Sequence, residues 1–369
     1  MKIGIDLTWV KHNKSGGIES YIRNLLDGLL YIDKNNEYYL LVTVDNEDSF
    51  EKYFQQHNVR KEVVNLISTY VFKRILWQNI YLNRLLIKRG INLCFEPIYS
   101  KPLLRNKKVR YVCTIHDLQA LHYPEYFSKI KYIWMRFAWR RSIRSSDKII
   151  AISNFVRNDI LRNYNIDEKK FEVIYNPIVL NDKLCDFDEI SKLYGISKNE
   201  YYYTVSQLLP HKNLETLLYV FIKIRDENIN LPCKLLISGV SEKQKSVINK
   251  IIKENKLENN VLFTGFVSND IRNTLYKNCR AFLFPSIFEG FGMPPIEAMS
   301  LGSITITTRC TSLYEVTKGK ANYVNEPKNI ENWIDKMLEV KDEKKCKIIF
   351  EEYSKIVIAN EYLKVLQSI

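Results

Sequence analysis

Nowhere in the 369-residue chain do apolar residues approach the ~18 in succession that a helical membrane span requires. The first residues, Met1-Lys2-Ile3-Gly4-Ile5-Asp6-Leu7, also lack the long apolar centre of a secretory signal and instead alternate like a strand. Cysteine is sparse. Its seven copies, Cys94, Cys113, Cys185, Cys233, Cys279, Cys310 and Cys346, are odd in number and scattered, which excludes a disulfide framework, a paired-cysteine zinc site and a vicinal redox pair. They read as small core hydrophobes kept reduced. No Asp-X-Asp cluster stands on a loop suited to a metal, and no metal or cofactor is expected. No internal repeat or low-complexity tract is present. Together these absences lead us to expect a cytoplasmic protein.

Carboxylates are scarce in one stretch. Residues 73–148 hold 17 Lys or Arg against four Asp or Glu, an excess of 13 that equals the formal charge of the whole chain, +13. Within this window Lys129 to Arg144 is expected to be a helix. Ile130, Ile133, Trp134 and Phe137 would share one face, with Arg136, Arg140 and Arg144 at four-residue spacing on another. Three readings fit: a surface for an anionic membrane leaflet or phosphate-linked lipid, a solvated basic face over an ordinary core, or a nucleic-acid groove. No base-reading module accompanies it, so nucleic acid is not an expected partner.

The length calls for two domains, and a 46% hydrophobic content is enough to fill two cores. Strand-like and helix-like segments alternate throughout, as in a doubly wound parallel sheet. The strands expected are Lys2–Thr8, Tyr38–Val42, Asn92–Phe95, Arg110–Ile115 and Lys148–Ile152, then Tyr201–Val205, Lys234–Ser238, Val261–Thr264, Ala281–Phe284 and Ser303–Thr307. An α/β fold of two Rossmann-like domains results, residues 1–177 and 178–344, with a linker placed between Asn176 and Lys198.

Ser286 to Met299 carries the strongest chemical signal. An apolar run, Ala281 to Phe284, gives way to Glu289-Gly290-Phe291-Gly292, and Pro294 and Pro295 then suit the first turn of a helix. The amides of Phe291, Gly292 and Met293 can converge there on a phosphate, aided by the positive helix end. Glu289 and Glu297 would be repelled by that phosphate and should face sugar hydroxyls, Glu297 those of a ribose and Glu289 the group at the other end of a diphosphate. Earlier in the chain, His116 and Asp117 follow the apolar run Tyr111 to Ile115. They therefore stand at a strand's carboxyl end, where open α/β sheets build sites. A neutral histidine there could bond a sugar hydroxyl, and the aspartate could orient it or accept a proton. His12, His57 and His122 show no constellation.

Glu289 and Glu297, eight positions apart around Gly-Phe-Gly-Met-Pro, resemble the paired-glutamate motif of the retaining glycosyltransferases of family 4, whose fold is GT-B. Gly16-Gly17-Ile18-Glu19 resembles that family's glycine loop after the first strand. Thr114-Ile115-His116-Asp117-Leu118, with Tyr123-Pro124-Glu125, resembles an acceptor-side segment. Ala151-Ile152-Ser153-Asn154-Phe155 and Val173-Ile174-Tyr175-Asn176-Pro177 are similar to the strand ends leading out of the first domain. His211-Lys212-Asn213-Leu214-Glu215-Thr216-Leu217 is similar to the lysine segment opening the second.

The resemblance implies a cleft between an acceptor-side first domain and a nucleotide-sugar-binding second, and a final helix, within 345–369, that crosses back to the first. It implies transfer of a hexose-type sugar, with retention, from a nucleotide diphosphate sugar to a glycan or lipid-linked saccharide. Surface polysaccharide synthesis at the inner face of a bacterial membrane is the setting it suggests. Glu289, His116 and Asp117 are the implied catalytic residues. Gly16, Gly17, Lys212, Asn213, Phe291, Gly292, Met293 and Glu297 would bind the donor, Lys212 through its diphosphate, and His211 beside it could also reach phosphate. Ser206-Gln207 stands where many members have Gly-Arg, which removes one cation and leaves more to Lys212. His211 and Tyr314 replace a frequent arginine and proline. A nucleotide-sugar epimerase on the same architecture and a non-catalytic glycan- or nucleotide-binding subunit are the alternatives.

Overall fold

The computed structural model describes every residue except 12–15, 100, 103–105 and 180–182, so His12 and part of the expected linker lie outside the described residues. The chain divides into two units, Met1–Val179 with Glu351–Ile369, and Leu180–Phe350.

The first unit holds β1 (Lys2–Asp6), β2 (Glu37–Thr43), β3 (Val59–Val64), β4 (Leu93–Glu96), β5 (Arg110–Ile115), β6 (Lys148–Ala151) and β7 (Phe171–Val173). All pair in parallel, in the order β3-β2-β1-β4-β5-β6-β7. The second unit holds β8 (Tyr202–Val205), β9 (Leu235–Ser238), β10 (Val261–Gly265), β11 (Phe282–Phe284), β12 (Thr305–Thr308) and β13 (Asn322–Val324), again parallel, in the order β10-β9-β8-β11-β12-β13. Parallel strands are covered by helices on both faces, and so the inner ones are continuous apolar runs such as Tyr38-Tyr39-Leu40-Leu41-Val42, buried throughout. In each sheet the strand order reverses once, between β1 and β4 and between β8 and β11. The carboxyl ends at such a reversal splay apart and leave a crevice.

Three strands are absent from the apolar runs read in the sequence: β3, β7 and β13, although the end of β7 at Val173 is marked by the family resemblance. Each is a sheet edge. An edge strand is half exposed and so need not be apolar, as Arg60-Lys61-Glu62 in β3 illustrates. Strands β7 and β13 are also only three residues long.

The ends of the units differ from expectation in two places. The segment between Asn176 and Lys198 is not all linker, because Phe187–Tyr194 is a helix whose Phe187 and Ile190 join Tyr201, Tyr203 and Leu275 in the second unit's core. The last helix spans Lys355–Gln367 rather than beginning near residue 345. Residues 345–350 stay in the second unit, where the Ile348 amide donates to the Met299 carbonyl at 3.0 Å. The chain re-enters the first unit beside its exit: Ile178 bridges Ser354 in parallel, and its amide donates to the Tyr353 carbonyl at 2.7 Å. Helix Lys355–Gln367 then packs on helix Gly17–Ile32 and buries Ile358, Ala359, Tyr362, Val365 and Leu366. Gly28 permits the close crossing, since a side chain there would run into the Lys355 carbonyl and Ala359.

The basic helix is present as Lys129–Ser145, capped by Ser128, but its core face is not the apolar stripe read from sequence. Met135, Trp139, Ser142 and Ile143 point inward, while Ile130, Ile133 and Phe137 are 83%, 65% and 48% exposed.

Candidate active site

In the second unit the crevice between β8 and β11 gathers the glutamates and the lysine. After β8, a single 3-10 turn, Pro210–Lys212, lifts Lys212, and Asn213 closes the turn at φ 53°. The Asn213 side chain is spent on protein partners. Its amide donates to the carbonyls of Pro327 at 2.8 Å and Pro285 at 3.3 Å, and its oxygen accepts from Thr216 Oγ1 at 2.7 Å. Asn213 therefore fixes the Lys212 turn to the end of β11 rather than offering its amide to a ligand.

Glu289 follows β11 on a turn pinned from the loop after β12. Its amide donates to Thr311 Oγ1 at 2.9 Å, and Ser312 Oγ lies 2.9 Å from the Glu289 carbonyl and 3.0 Å from that of Phe291. Gly292, at φ 91°, starts helix Met293–Ser300, and no side chain caps that start. A Cβ on Gly292 would lie 2.6 Å from Leu313 Cδ2, so both backbone angle and space demand glycine. Phe291 and Met293 are buried beneath the turn. The arrangement brings Lys212 and Glu289 together, with Nζ 2.6 Å from Oε1 and side-chain exposures of only 20% and 13%.

Glu297, one turn into the helix, is held from another element. Arg272 Nη2 lies 3.5 Å from both of its oxygens, and Tyr276 Oη donates to Oε2 at 3.4 Å. The carboxylate holds the Arg272 guanidinium above its ordinary range. Sequence reasoning missed both partners. They sit at i and i+4 on helix Asn269–Asn278, a spacing that marks a shared face but not what the face meets. His211 is buried, and desolvation, then the neighbouring Lys212 charge, pulls it down to about 4. It is neutral near pH 7 and adds no positive charge for a phosphate.

In the first unit His116 stands just past β5. Its Nε2 lies 2.8 Å from the Pro97 carbonyl, and because a carbonyl only accepts, the proton is on Nε2. Burial lowers the ring to about 4, so Nδ1 keeps its lone pair and can accept a hydroxyl proton. The Tyr21 ring meets His116 edge-on, centroids 4.9 Å apart. Asp117 accepts from the Gln119 amide at 3.0 Å, two residues before the short helix Gln119–His122. Gly16 is the N-cap residue of helix Gly17–Ile32, and open space surrounds Gly17.

Two acidic features of this unit were also missed. His122 does have a partner, for its Nε2 lies 2.8 Å from an oxygen of the buried Asp159. Asp6 and Glu96 end the adjacent strands β1 and β4. Asp6 accepts from the Thr8 amide and hydroxyl and from Gln78 Nε2, at 2.9, 2.6 and 2.6 Å. Burial, then the Asp6 charge, pushes Glu96 well above the usual carboxyl range. The first contact joins two helices and the second two strands distant in sequence, and only the folded chain brings either together.

Among the described residues no group of three or more His, Cys, Asp or Glu is placed to hold a metal. The chain's Asp186-Phe187-Asp188 is used locally, Asp186 capping a helix by accepting from the Asp188 amide.

Comparison with known proteins gives two family matches, "Glycosyltransferase Family 4" over residues 15–182 and "Glycosyl transferases group 1" over residues 186–357. The chain is 30% identical over 251 residues to the O-antigen chain mannosyltransferase RfbU of Salmonella typhimurium, covering 68% of this chain and 65% of that protein. It is 28% identical over 246 residues to the O-antigen chain mannosyltransferase B of Escherichia coli, covering 63% and 62%. The matched regions thus span just under two thirds of these relatives' own length. Among solved structures, Anabaena Alr3699/HepE in complex with UDP and glucose superposes over 100% of both chains with a TM-score of 0.73 at 18% identity, a likeness of fold. WaaG, a glycosyltransferase involved in lipopolysaccharide biosynthesis, superposes over 100% of this chain and 95% of its own with a TM-score of 0.69 at 12% identity. With both halves of the sequence assigned and the two-sheet fold matched along its length, the chain belongs to the family 4 glycosyltransferases of the GT-B class.

Proposed function

We propose that the protein transfers a hexose, with retention of configuration and without a metal, from a nucleotide diphosphate sugar to a glycan or lipid-linked saccharide in surface polysaccharide synthesis. The observation that carries this reading is the convergence of Lys212, Glu289 and the start of helix Met293–Ser300 at the crevice between β8 and β11. Bond cleavage leaves negative charge on the departing phosphate, and a cation with aligned amides stabilises it there. Glu297, oriented by Arg272, accepts from the ribose hydroxyls, and Glu289 supports the donor sugar. In the first unit, His116 Nδ1 accepts from a sugar hydroxyl. With a pKa of about 4 it is too weak a base to remove that proton outright. The departing phosphate can take the acceptor's proton on the same face as the new bond forms.

Relatives named as O-antigen mannosyltransferases and a structural neighbour holding UDP and glucose support a hexose and a nucleotide diphosphate as the donor's parts. The test is a panel of UDP- and GDP-hexoses, scored by thermal stabilisation and donor turnover, with chelator present and absent. A transferase turns over one donor, keeps that activity in chelator and gains rate from a saccharide acceptor. Interconversion of free donor would indicate an epimerase, and stabilisation without turnover a silent subunit.

The acceptor side of the proposal is an anionic membrane surface. No helix among the described residues is long and apolar enough to cross a membrane. Helix Lys129–Ser145 instead exposes Ile130, Ile133 and Phe137 among its arginines and lysines, the composition of a surface that rests on a charged leaflet.

A further inference from the structure

Three hydroxyls meet in the interior of the first unit. Tyr362 Oη, on the C-terminal helix, lies 2.7 Å from Tyr21 Oη and 3.3 Å from Thr114 Oγ1, and Tyr21 Oη lies 3.0 Å from Thr114 Oγ1. All three residues are fully buried. Burial pushes both phenols above their ordinary range, so both stay protonated and each hydroxyl has one proton to give. A closed ring of three donors and three acceptors satisfies every member.

This ring lies behind His116 on two sides. Tyr21 presents its edge to the imidazole, and Thr114 is two residues before it on β5. On the other side the Tyr362 ring packs edge-on against Phe95, centroids 5.6 Å apart. Phe95 lies two residues before Pro97, whose carbonyl holds His116 Nε2. One side chain of the last helix therefore touches both the aromatic ring that packs His116 and the strand that carries its hydrogen-bond acceptor.

We propose that Tyr362 is a positioning residue for His116, acting through Tyr21 and Phe95, and that the C-terminal helix is thereby part of the first unit's active-site apparatus. The inference rests on the reading of His116 as a site residue. A lone pair must be aimed to within a fraction of an ångström to serve, and a hydroxyl ring fixes position better than apolar packing alone.

The test uses the full chain as wild type, Tyr362→Phe, His116→Ala and the double variant, with Tyr21→Phe as a second probe. Long-range proton–nitrogen NMR of labelled histidines reads the His116 ring without any donor. The wild type should show a single Nε2-protonated form, and Tyr362→Phe should shift or broaden that signal while leaving His57 unchanged. With UDP-glucose and GDP-mannose as donors, Tyr362→Phe should lower turnover on the order of tenfold with nucleotide affinity unchanged. It should cost nothing further in the His116→Ala background. An unaltered His116 signal in both phenol variants would overturn the proposal whatever the donor, as would an equal loss of turnover in both backgrounds. Wild-type turnover by His116→Ala would remove the underlying reading itself, a result separable from the other two.

Discussion

Lys212 Nζ and Glu289 Oε1, 77 positions apart in sequence, are ion-paired at 2.6 Å across the crevice between β8 and β11. The cation assigned to the diphosphate and the carboxylate assigned to the donor sugar neutralise one another in this structure. On the proposed reading, a diphosphate arriving there would compete with Glu289 for Lys212, and its success would leave the carboxylate to the sugar.

Glu289→Ala should therefore cut turnover on the order of 10²–10³-fold. Nucleotide affinity should be retained or at most about fivefold tighter, the worth of ~1 kcal/mol for a partly exposed ion pair. Lys212→Met should do the reverse and weaken nucleotide binding first. Titration calorimetry with UDP and GDP, beside turnover, separates the two, and a nucleotide-binding defect in Glu289→Ala would refute the assigned roles.

Glu297→Ala should mainly weaken nucleotide affinity, roughly ten- to a hundredfold, for a charged hydrogen bond worth about 1.5–3 kcal/mol. Arg272→Met should weaken it in the same assay, because the guanidinium at 3.5 Å orients that carboxylate. Residues that act as a unit do not add, so the double variant should bind no worse than Glu297→Ala. Additive losses would show that Arg272 acts on the nucleotide separately.

Acid should destabilise the fold in a defined window. His116 and His211 are each held by burial at about 4, below the ordinary 6.5. Between those values the unfolded chain binds protons that the folded chain refuses. The stability these histidines lend is then complete above about pH 6.5, falls as pH drops and is gone below about 4. The loss is on the order of 2–3 kcal/mol for a fully buried ring. Melting of His116→Gln should decline less steeply than wild type from pH 6.5 to 4. A parallel decline would show that the ring titrates normally.

Retention on vesicles containing phosphatidylglycerol at low salt should depend on the exposed stripe of helix Lys129–Ser145. Glutamate at both Ile130 and Ile133 should abolish it while leaving the melting temperature within about a degree, as expected of exposed positions. Equal retention of the variant, or none by the wild type, would remove this surface as the docking face.

Much of the scaffold was legible because the inner strands of a parallel sheet cannot avoid being apolar; ten runs stand out from Lys2 to Thr307, and nine of them are inner strands, β10 being an edge. Three edge strands escaped the reading because half exposure relaxes that demand. The turn at Gly292 was legible because its backbone angle leaves few residue choices. The pairing of Lys212 with Glu289, the hold of Arg272 on Glu297 and the meeting of Asp6 with Glu96 were not. Each is made between strands or helices whose adjacency is decided by sheet order, which local spacing does not encode. Helix Lys129–Ser145 was itself legible, but it has apolar residues on two faces, and sequence alone does not say which one is buried.

Because residues 351–369 complete the unit begun at Met1, the second unit is in effect inserted within the first. On a ribosome the middle of the chain can finish folding while the beginning still waits. Tyr21 and Thr114 acquire Tyr362 only once residues 351–369 have been made. A chain without residues 351–369 would carry the whole second unit beside a first whose helix Gly17–Ile32 has lost its cover at Tyr21 and Gly28, a product suited to recognition by quality-control proteases.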